Sequence, residues 1–330
     1  MLKSIKKIYN PQLYHGHNKD NQNFFEGWYF KIADKKLENV YAFIPGVFKD
    51  KAGHNTHSFI QVMEGPANKS HFIKYDFNQF KAAKHRFDIK IVNNKFSLKE
   101  MNLDINSENI KIQGNLNFKN IKPWPVSVLS PGAMGWYGFL PFMECNHGVL
   151  SFNHEIKGQL NINSQTIDFT GGRGYIEKDW GKSFPSAWLW LQTNHFNDPT
   201  SSLMVSIATI PWLSREFRGF IIGFYHQDEL YKFTTYNNSI INQFEKKDDK
   251  ILVEVENSNF ILKIAADYEK GLLLKGPFRS NMVKNVEESL NASIEIKLIN
   301  KFENSIIYQG MGQKAGFELN GNLDEIIDNY

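Results

Sequence analysis

Trp188-Leu189-Trp190-Leu191-Gln192-Thr193-Asn194 alternates without a break. In an extended chain, successive side chains point to opposite faces. Trp188, Trp190, Gln192 and Asn194 then share one face, and Leu189, Leu191 and Thr193 share the other. The leucine face is that of an ordinary core. The other face is unusual, because water does not favour two neighbouring tryptophans and a dry core does not favour two amides. It suits the wall of a cavity for an amphipathic ligand, with rings for its tail and amides for its polar head. A tryptophan pair at a domain interface, with the amides at its rim, fits the same pattern.

The same period recurs on both sides of this stretch. Phe24–Ile32, Val40–Phe48, His57–Glu64, Phe87–Val92, Ile110–Phe118, Val149–Glu155 and Gly158–Ile162 read as strands before it. Leu203–Ile210, Phe220–His226, Leu230–Tyr236, Ile251–Glu256, Phe260–Ala265, Leu272–Lys275, Ala292–Ile299 and Ile306–Met311 read as strands after it. Asn161 to Ile167 and Asn237-Asn238 mark turns, and Leu323–Asp328 is the one weak candidate for a helical turn. The pattern predicts an all-β chain of many antiparallel strands.

The chain also matches itself. At the spacing that sets Trp28 on Trp190, Tyr41-Ala42-Phe43-Ile44-Pro45 falls on Leu203-Met204-Val205-Ser206-Ile207. One residue less sets His57-Ser58-Phe59-Ile60 on Arg218-Gly219-Phe220-Ile221. A chain of 330 residues then reads as two strand-rich halves, residues 1–165 and 166–330. Each lies within the usual size of a domain. Between Lys122 and Gly138, prolines and glycines are mixed with Trp124, Trp136 and Tyr137. That mixture predicts a segment packed against a barrel mouth or the boundary between halves. Glu245 to Lys250 is expected to be a solvated hairpin tip.

Composition narrows the function. Aromatic residues make up 14% of the chain, with 27 Phe, which suggests an enclosed apolar space. A net charge of +3 without a basic stripe argues against nucleic acid as a partner. The single Cys145 rules out an internal disulfide and a cysteine zinc site. The histidine pairs His15/His17 and His54/His57 lack matching partners, so no metal is expected. The start of the chain has no apolar run of a secretory signal, and no run reaches the length of a membrane span. A reduced cytoplasmic protein is the expectation.

Two groups of acids stand among aromatics. In Phe24-Phe25-Glu26-Gly27-Trp28-Tyr29-Phe30-Lys31, Glu26 shares a face with Phe24, Trp28 and Phe30. A carboxyl held among rings loses solvation and keeps its proton, as a general acid needs. A structural Glu26 paired to a lysine or to backbone amides is the plainer alternative. In Gly174-Tyr175-Ile176-Glu177-Lys178-Asp179-Trp180-Gly181, Glu177 and Asp179 would share a strand face, and a solvated charged turn is the default. Glu144 and His147 rank behind these as acid–base candidates.

The motifs around Glu26, the run Glu177-Lys178-Asp179-Trp180-Gly181, Phe184-Pro185 and Trp188-x-Trp190-x-Gln192-x-Asn194 together resemble the tocopherol cyclase family. Pro11 to Gly16 leads into the first motif as in that family, and the order agrees from about residue 11 into the last third. The resemblance implies two lipocalin-like antiparallel β-barrel or sandwich halves packed together, related to carotenoid hydratases. It implies closure of a chromanol ring on a prenylated benzoquinol with no cofactor. An acid protonates the prenyl alkene and the phenolic oxygen captures the tertiary cation. Glu26, Glu177 and Asp179 are the candidate acids. Trp28, Tyr29, Trp180, Trp188, Trp190, Gln192 and Asn194 are the candidate substrate-binding residues. The chain departs from plant members of the family in showing no transit peptide.

Two other activities fit the same parts: a lipocalin-like carrier of an apolar lipid, and a hydratase that quenches the cation with water. The expected partner in each case is an apolar small molecule. Peripheral membrane contact is also expected, assisted by the basic, apolar-spaced Leu2–Ile8.

Overall fold

A computed structural model describes residues 7–322, except 21, 142, 213–214, 269 and 279–280, together with Ile326. It is all-β. A twelve-stranded and a ten-stranded sheet, both antiparallel where paired, carry nearly all its regular structure, with only short 3₁₀ turns between. The expected helical turn at Leu323–Asp328 and most of Leu2–Ile8 lie outside the described residues.

Two compact units emerge. The first holds residues up to Phe184 plus Leu274–Asn285; the second holds Pro185–Leu273 and Val286 onward. The boundary expected at 165/166 is therefore displaced. Gln165–Asp168 and Arg173–Gly181 both pair with Cys145–Ile162 in the first sheet, and strand hydrogen bonds outrank the length symmetry that suggested an even split. Inside the first unit, Gln61 clasps residue 275 in both directions: its Nε2 donates to the Lys275 carbonyl at 2.9 Å and its Oε1 accepts the Lys275 N–H at 2.8 Å. Met282 packs there with Phe25, Phe48 and Phe59.

Strand order shows the repetition. The first sheet begins Lys69–Asp76, His57–Glu64, Val40–Lys49, Phe24–Ala33, Arg173–Gly181; the second begins Glu229–Thr234, Arg215–His226, Ser202–Trp212, Trp188–Thr193, Ser305–Asn320. Register corrects the alignment of the tryptophans. Phe30 pairs with Phe43 and Ile176, as Leu191 pairs with Val205 and Phe317. Counting back two residues, Leu189 and not Trp190 corresponds to Trp28. Trp28 belongs to the apolar core of its unit, as does Leu189, whereas Trp190 points to the opposite face. A one-residue offset reverses every side chain in a strand, and only the core contacts reveal it.

The hairpin turns follow their expected chemistry. Asn163 and Ser164, with φ of 49° and 71°, connect Cys145–Ile162 to Gln165–Asp168. Asp248, with φ of 53°, turns the chain between Ile240–Lys247 and Lys250–Glu256 at the charged tip. The segment 122–138 is packed in part, with residues 131–135 buried. Trp124 is buried, but Val126, Val128, Leu129 and Trp136 are exposed.

Candidate functional site

Glu26 lies where the alternation puts it, on the core face of Phe24–Ala33 with Phe24, Trp28 and Phe30, and it is wholly buried. Its surroundings are those of the plainer alternative, a carboxylate paired to a lysine and a backbone amide, and not those of a general acid. The backbone N–H of His15 donates to both carboxylate oxygens, at 2.8 and 3.1 Å, and the Lys178 ammonium stands 2.7 Å from Oε1. Burial by itself pushes the carboxyl up, but Lys178 and His15 outweigh it and hold it below the ordinary carboxylate range. Glu26 is thus an ionised partner and not a stored acid.

Lys178, also wholly buried, organises this interior group. It pairs in register with Trp28, and its ammonium lies over the rings of Trp28 and Trp180, 5.2 and 4.5 Å from their centroids. It donates to the carbonyls of Pro11 at 2.7 Å and Leu13 at 2.5 Å, and to His15 Nδ1 at 2.9 Å. Burial pulls its pKa down to about 8 against the opposing pull of Glu26. Burial, and then Lys178, lower that of His15, whose neutral ring stacks on Trp180 at 4.4 Å. The chain before Glu26 is therefore pinned by a charge at the strand centre. In the second unit the corresponding positions are Ala187 and Leu319, so this pair belongs to one half alone.

Opposite this group, on the other face of the sheet, three more candidates gather. The run Glu177-Lys178-Asp179 is no solvated turn. It lies in Arg173–Gly181, hydrogen-bonded to Phe24–Ala33 on one side and Cys145–Ile162 on the other. Ile176 belongs to the core, so Tyr175, Glu177 and Asp179 point away from it. His147 pairs in register with Asp179, and its Nδ1 lies 2.9 Å from Asp179 Oδ1. Its buried Nε2 stands 3.7 Å from Glu177 Oε2, which accepts the Tyr175 hydroxyl hydrogen at 2.5 Å. Tyr29 pairs in register with Glu177.

Burial opposes a charge on His147, but Asp179 and then Glu177 overcome it and raise the imidazole to about 9. A pH test follows. Because the folded value lies above the 6.5 of a free imidazole, this stabilisation is complete below about pH 6.5 and is lost as pH rises through about 9. Urea midpoints of the native chain and His147→Gln are expected to differ most near pH 6 and to converge by about pH 9.5. Equal gaps at both ends would refute the charged imidazole. His147, Glu177 and Asp179 also offer donor atoms within 4.8 Å of one another, a set able to receive a divalent cation. Sequence reading ranked His147 second because its partners lie on another strand, and only register joins them.

The second unit holds the tryptophan strand. Leu189 and Leu191 enter its core, leaving Trp188, Trp190 and Gln192 on the opposite face. Asn194 follows the strand, and all four are buried. Trp190 pairs in register with Glu318 as Tyr29 does with Glu177, so each half sets an acid beside an aromatic at the same place. Trp188 Nε1 donates to Glu318 Oε2 at 2.6 Å. Trp188→Phe is expected to lower unfolding free energy by about 1–3 kcal/mol in urea titrations, the usual loss for a bond to a charged group. An unchanged midpoint would show that this bond adds nothing.

The geometry defines a two-unit antiparallel β protein with an acid–imidazole cluster on one sheet face, in which His147 and Glu177 are buried and Asp179 is half-buried. Comparison with known proteins gives it a family. Residues 104–321 match the Tocopherol cyclase-like family, and the chain belongs to it. The match takes in His147, Glu177, Asp179 and the tryptophan strand, and leaves out the Glu26 motif. A chloroplastic tocopherol cyclase from Zea mays is 21% identical over 206 residues, covering 57% of this chain and 41% of the maize protein. The match thus spans less than half of that relative's length. Among solved structures, CghA with Sch210972 shares the fold with a TM-score of 0.56 at 8% identity, covering 91% of this chain and 89% of that one. Kievitone hydratase from Nectria haematococca does so with a TM-score of 0.53 at 12% identity, covering 94% of each chain. Among the described residues, no helix is long and apolar enough to cross a membrane.

Proposed function

We propose that this chain closes a chromanol ring on a prenylated benzoquinol by acid–base chemistry, without a redox cofactor. The observation that carries the reading is the convergence of His147, Glu177 and Asp179 on one buried sheet face, with Tyr175 donating to Glu177. Family membership supports the substrate class.

The reaction needs one proton delivered and one recovered. The prenyl alkene takes a proton from the cluster, leaving a tertiary cation. The phenolic oxygen bonds to that carbon, and its proton returns to the cluster. Nothing is gained or lost, so product and substrate have equal mass. The cluster's proton rests on the His147 imidazolium at neutral pH, and Asp179, hydrogen-bonded to it, relays that proton to the alkene and takes it back. The Asp179 side chain is 28% exposed, against 6% for Glu177, which makes it the more open acid. Glu26 is assigned to holding the chain before it, through His15 and Lys178. Trp28 and Trp180 then serve that support, while Tyr29 lines the reacting face. Trp188, Trp190, Gln192 and Asn194 form, within the second unit by itself, a face of rings and amides of the kind an amphipathic ligand requires.

Incubation with a phytyl benzoquinol, followed by chromatography and mass spectrometry, tests the reading. A chromanol of unchanged mass is expected. A product heavier by one water would assign a hydratase, and unaltered bound quinol would assign a carrier; either would overturn it. Turnover is expected to survive exhaustive chelation, and dependence on an added divalent cation would refute the proton mechanism.

A further inference from the structure

Residues 123–143, between Lys111–Lys119 and Cys145–Ile162, contain no Asp, Glu, Lys, Arg or His. Such a run would ordinarily be interior. Here part of it forms a tight protruding turn. Val126 bridges Pro131, and Ser127 and Ser130 exchange backbone hydrogen bonds at 2.9 and 3.2 Å. That leaves Val128 and Leu129 at the tip, 77% and 82% exposed. Tight turns normally carry Asn, Asp or Gly, which water solvates well. Two aliphatic side chains held out in their place form an exposed apolar patch.

The surroundings extend the patch. Trp136 and Phe139 are exposed, and Trp136 stacks on Tyr137 at 4.1 Å. The tip is also braced: the Tyr9 hydroxyl donates to the Val128 carbonyl at 2.8 Å, and its ring meets Phe139 edge-on at 5.9 Å. A braced tip loses little conformational entropy on docking.

We infer that the Val126–Pro131 turn, with Trp136 and Phe139, is a docking surface for a lipid bilayer. The shape and chemistry favour lipid over a protein partner. An aliphatic tip held out from the fold inserts among acyl chains without specific contacts. Trp and Tyr rings belong at the headgroup level. The inference stands on this surface alone and does not depend on the reaction proposed above.

The test is co-flotation of the full chain with vesicles of phosphatidylcholine and phosphatidylglycerol. Binding is expected, and Val128→Ser/Leu129→Ser should weaken it about tenfold or more, since two aliphatic side chains leave the bilayer and no charge changes. Circular dichroism and melting temperature are expected to stay the same, because both positions are solvated. Failure of the native chain to float would overturn the inference, as would binding indifferent to the double substitution. A native dimer that the double substitution converts to monomer would assign the patch to a second copy and overturn it too.

Discussion

Lys178→Met is expected to lower the unfolding free energy by about 3–5 kcal/mol, the largest stability loss from any single change at this site. The substitution keeps the volume of the side chain and removes its charge. Glu26 then remains as a carboxylate without a counter-charge at a position with no exposure. The carbonyls of Pro11 and Leu13 lose their donor as well. Glu26→Gln/Lys178→Met should recover much of the loss and stand about 1–2 kcal/mol below the native chain, because a neutral amide still accepts the His15 N–H. The second unit shows that this fold tolerates an apolar solution, since Ala187 and Leu319 occupy the same two places. The double variant should nonetheless be cleaved faster by protease before Glu26, where Lys178 no longer pins the chain. Urea midpoints and limited proteolysis measure both effects. If Lys178→Met leaves the midpoint unchanged, or if the double variant is less stable than Lys178→Met, the buried pair does not have this role.

Asp179→Asn and His147→Gln are each expected to reduce chromanol formation by about 10²–10⁴-fold while the protein remains folded. Both keep the approximate shape of the side chain and abolish proton exchange. Glu177→Gln should fall in the same range, because Tyr175 then donates to an amide that cannot return a proton. The two substitutions His147→Gln and Asp179→Asn together should lose hardly more than the worse one alone, since groups acting as a unit are not additive. Glu26→Gln should behave in the opposite way, losing stability but keeping turnover per folded molecule. The two faces of the sheet are thus separable by experiment. Loss of turnover in folded Glu26→Gln, with normal turnover in Asp179→Asn, would move the acid to the interior and refute the assignment.

Much of this arrangement was legible in the chain. The alternation at Trp188–Thr193 is a strand with the leucines inward, and the environment of Glu26 is three rings on one face. The motifs carry the family, and the match over residues 104–321 agrees. What could not be read was the partner of each acid. Glu26 meets Lys178, and Asp179 meets His147, across strands remote in sequence. Desolvation argued that Glu26 would keep its proton, and a buried ammonium reverses that conclusion. The aromatic stretch beyond Lys122 was expected to be covered, yet its most apolar tip lies in water.

Period-two alternation, the turn residues and the repeated strand pattern were enough to determine an all-β chain in two related halves. They also determined which residues share a face. Which strands lie side by side and in what register, and which charges meet, only the tertiary structure decided. Side-chain alternation is a property of one strand, whereas register between strands comes from hydrogen bonds and core contacts made by distant segments. Trp28 and Trp190 show the difference. They look equivalent in sequence, but a single residue of register sends one into the core and the other away from it.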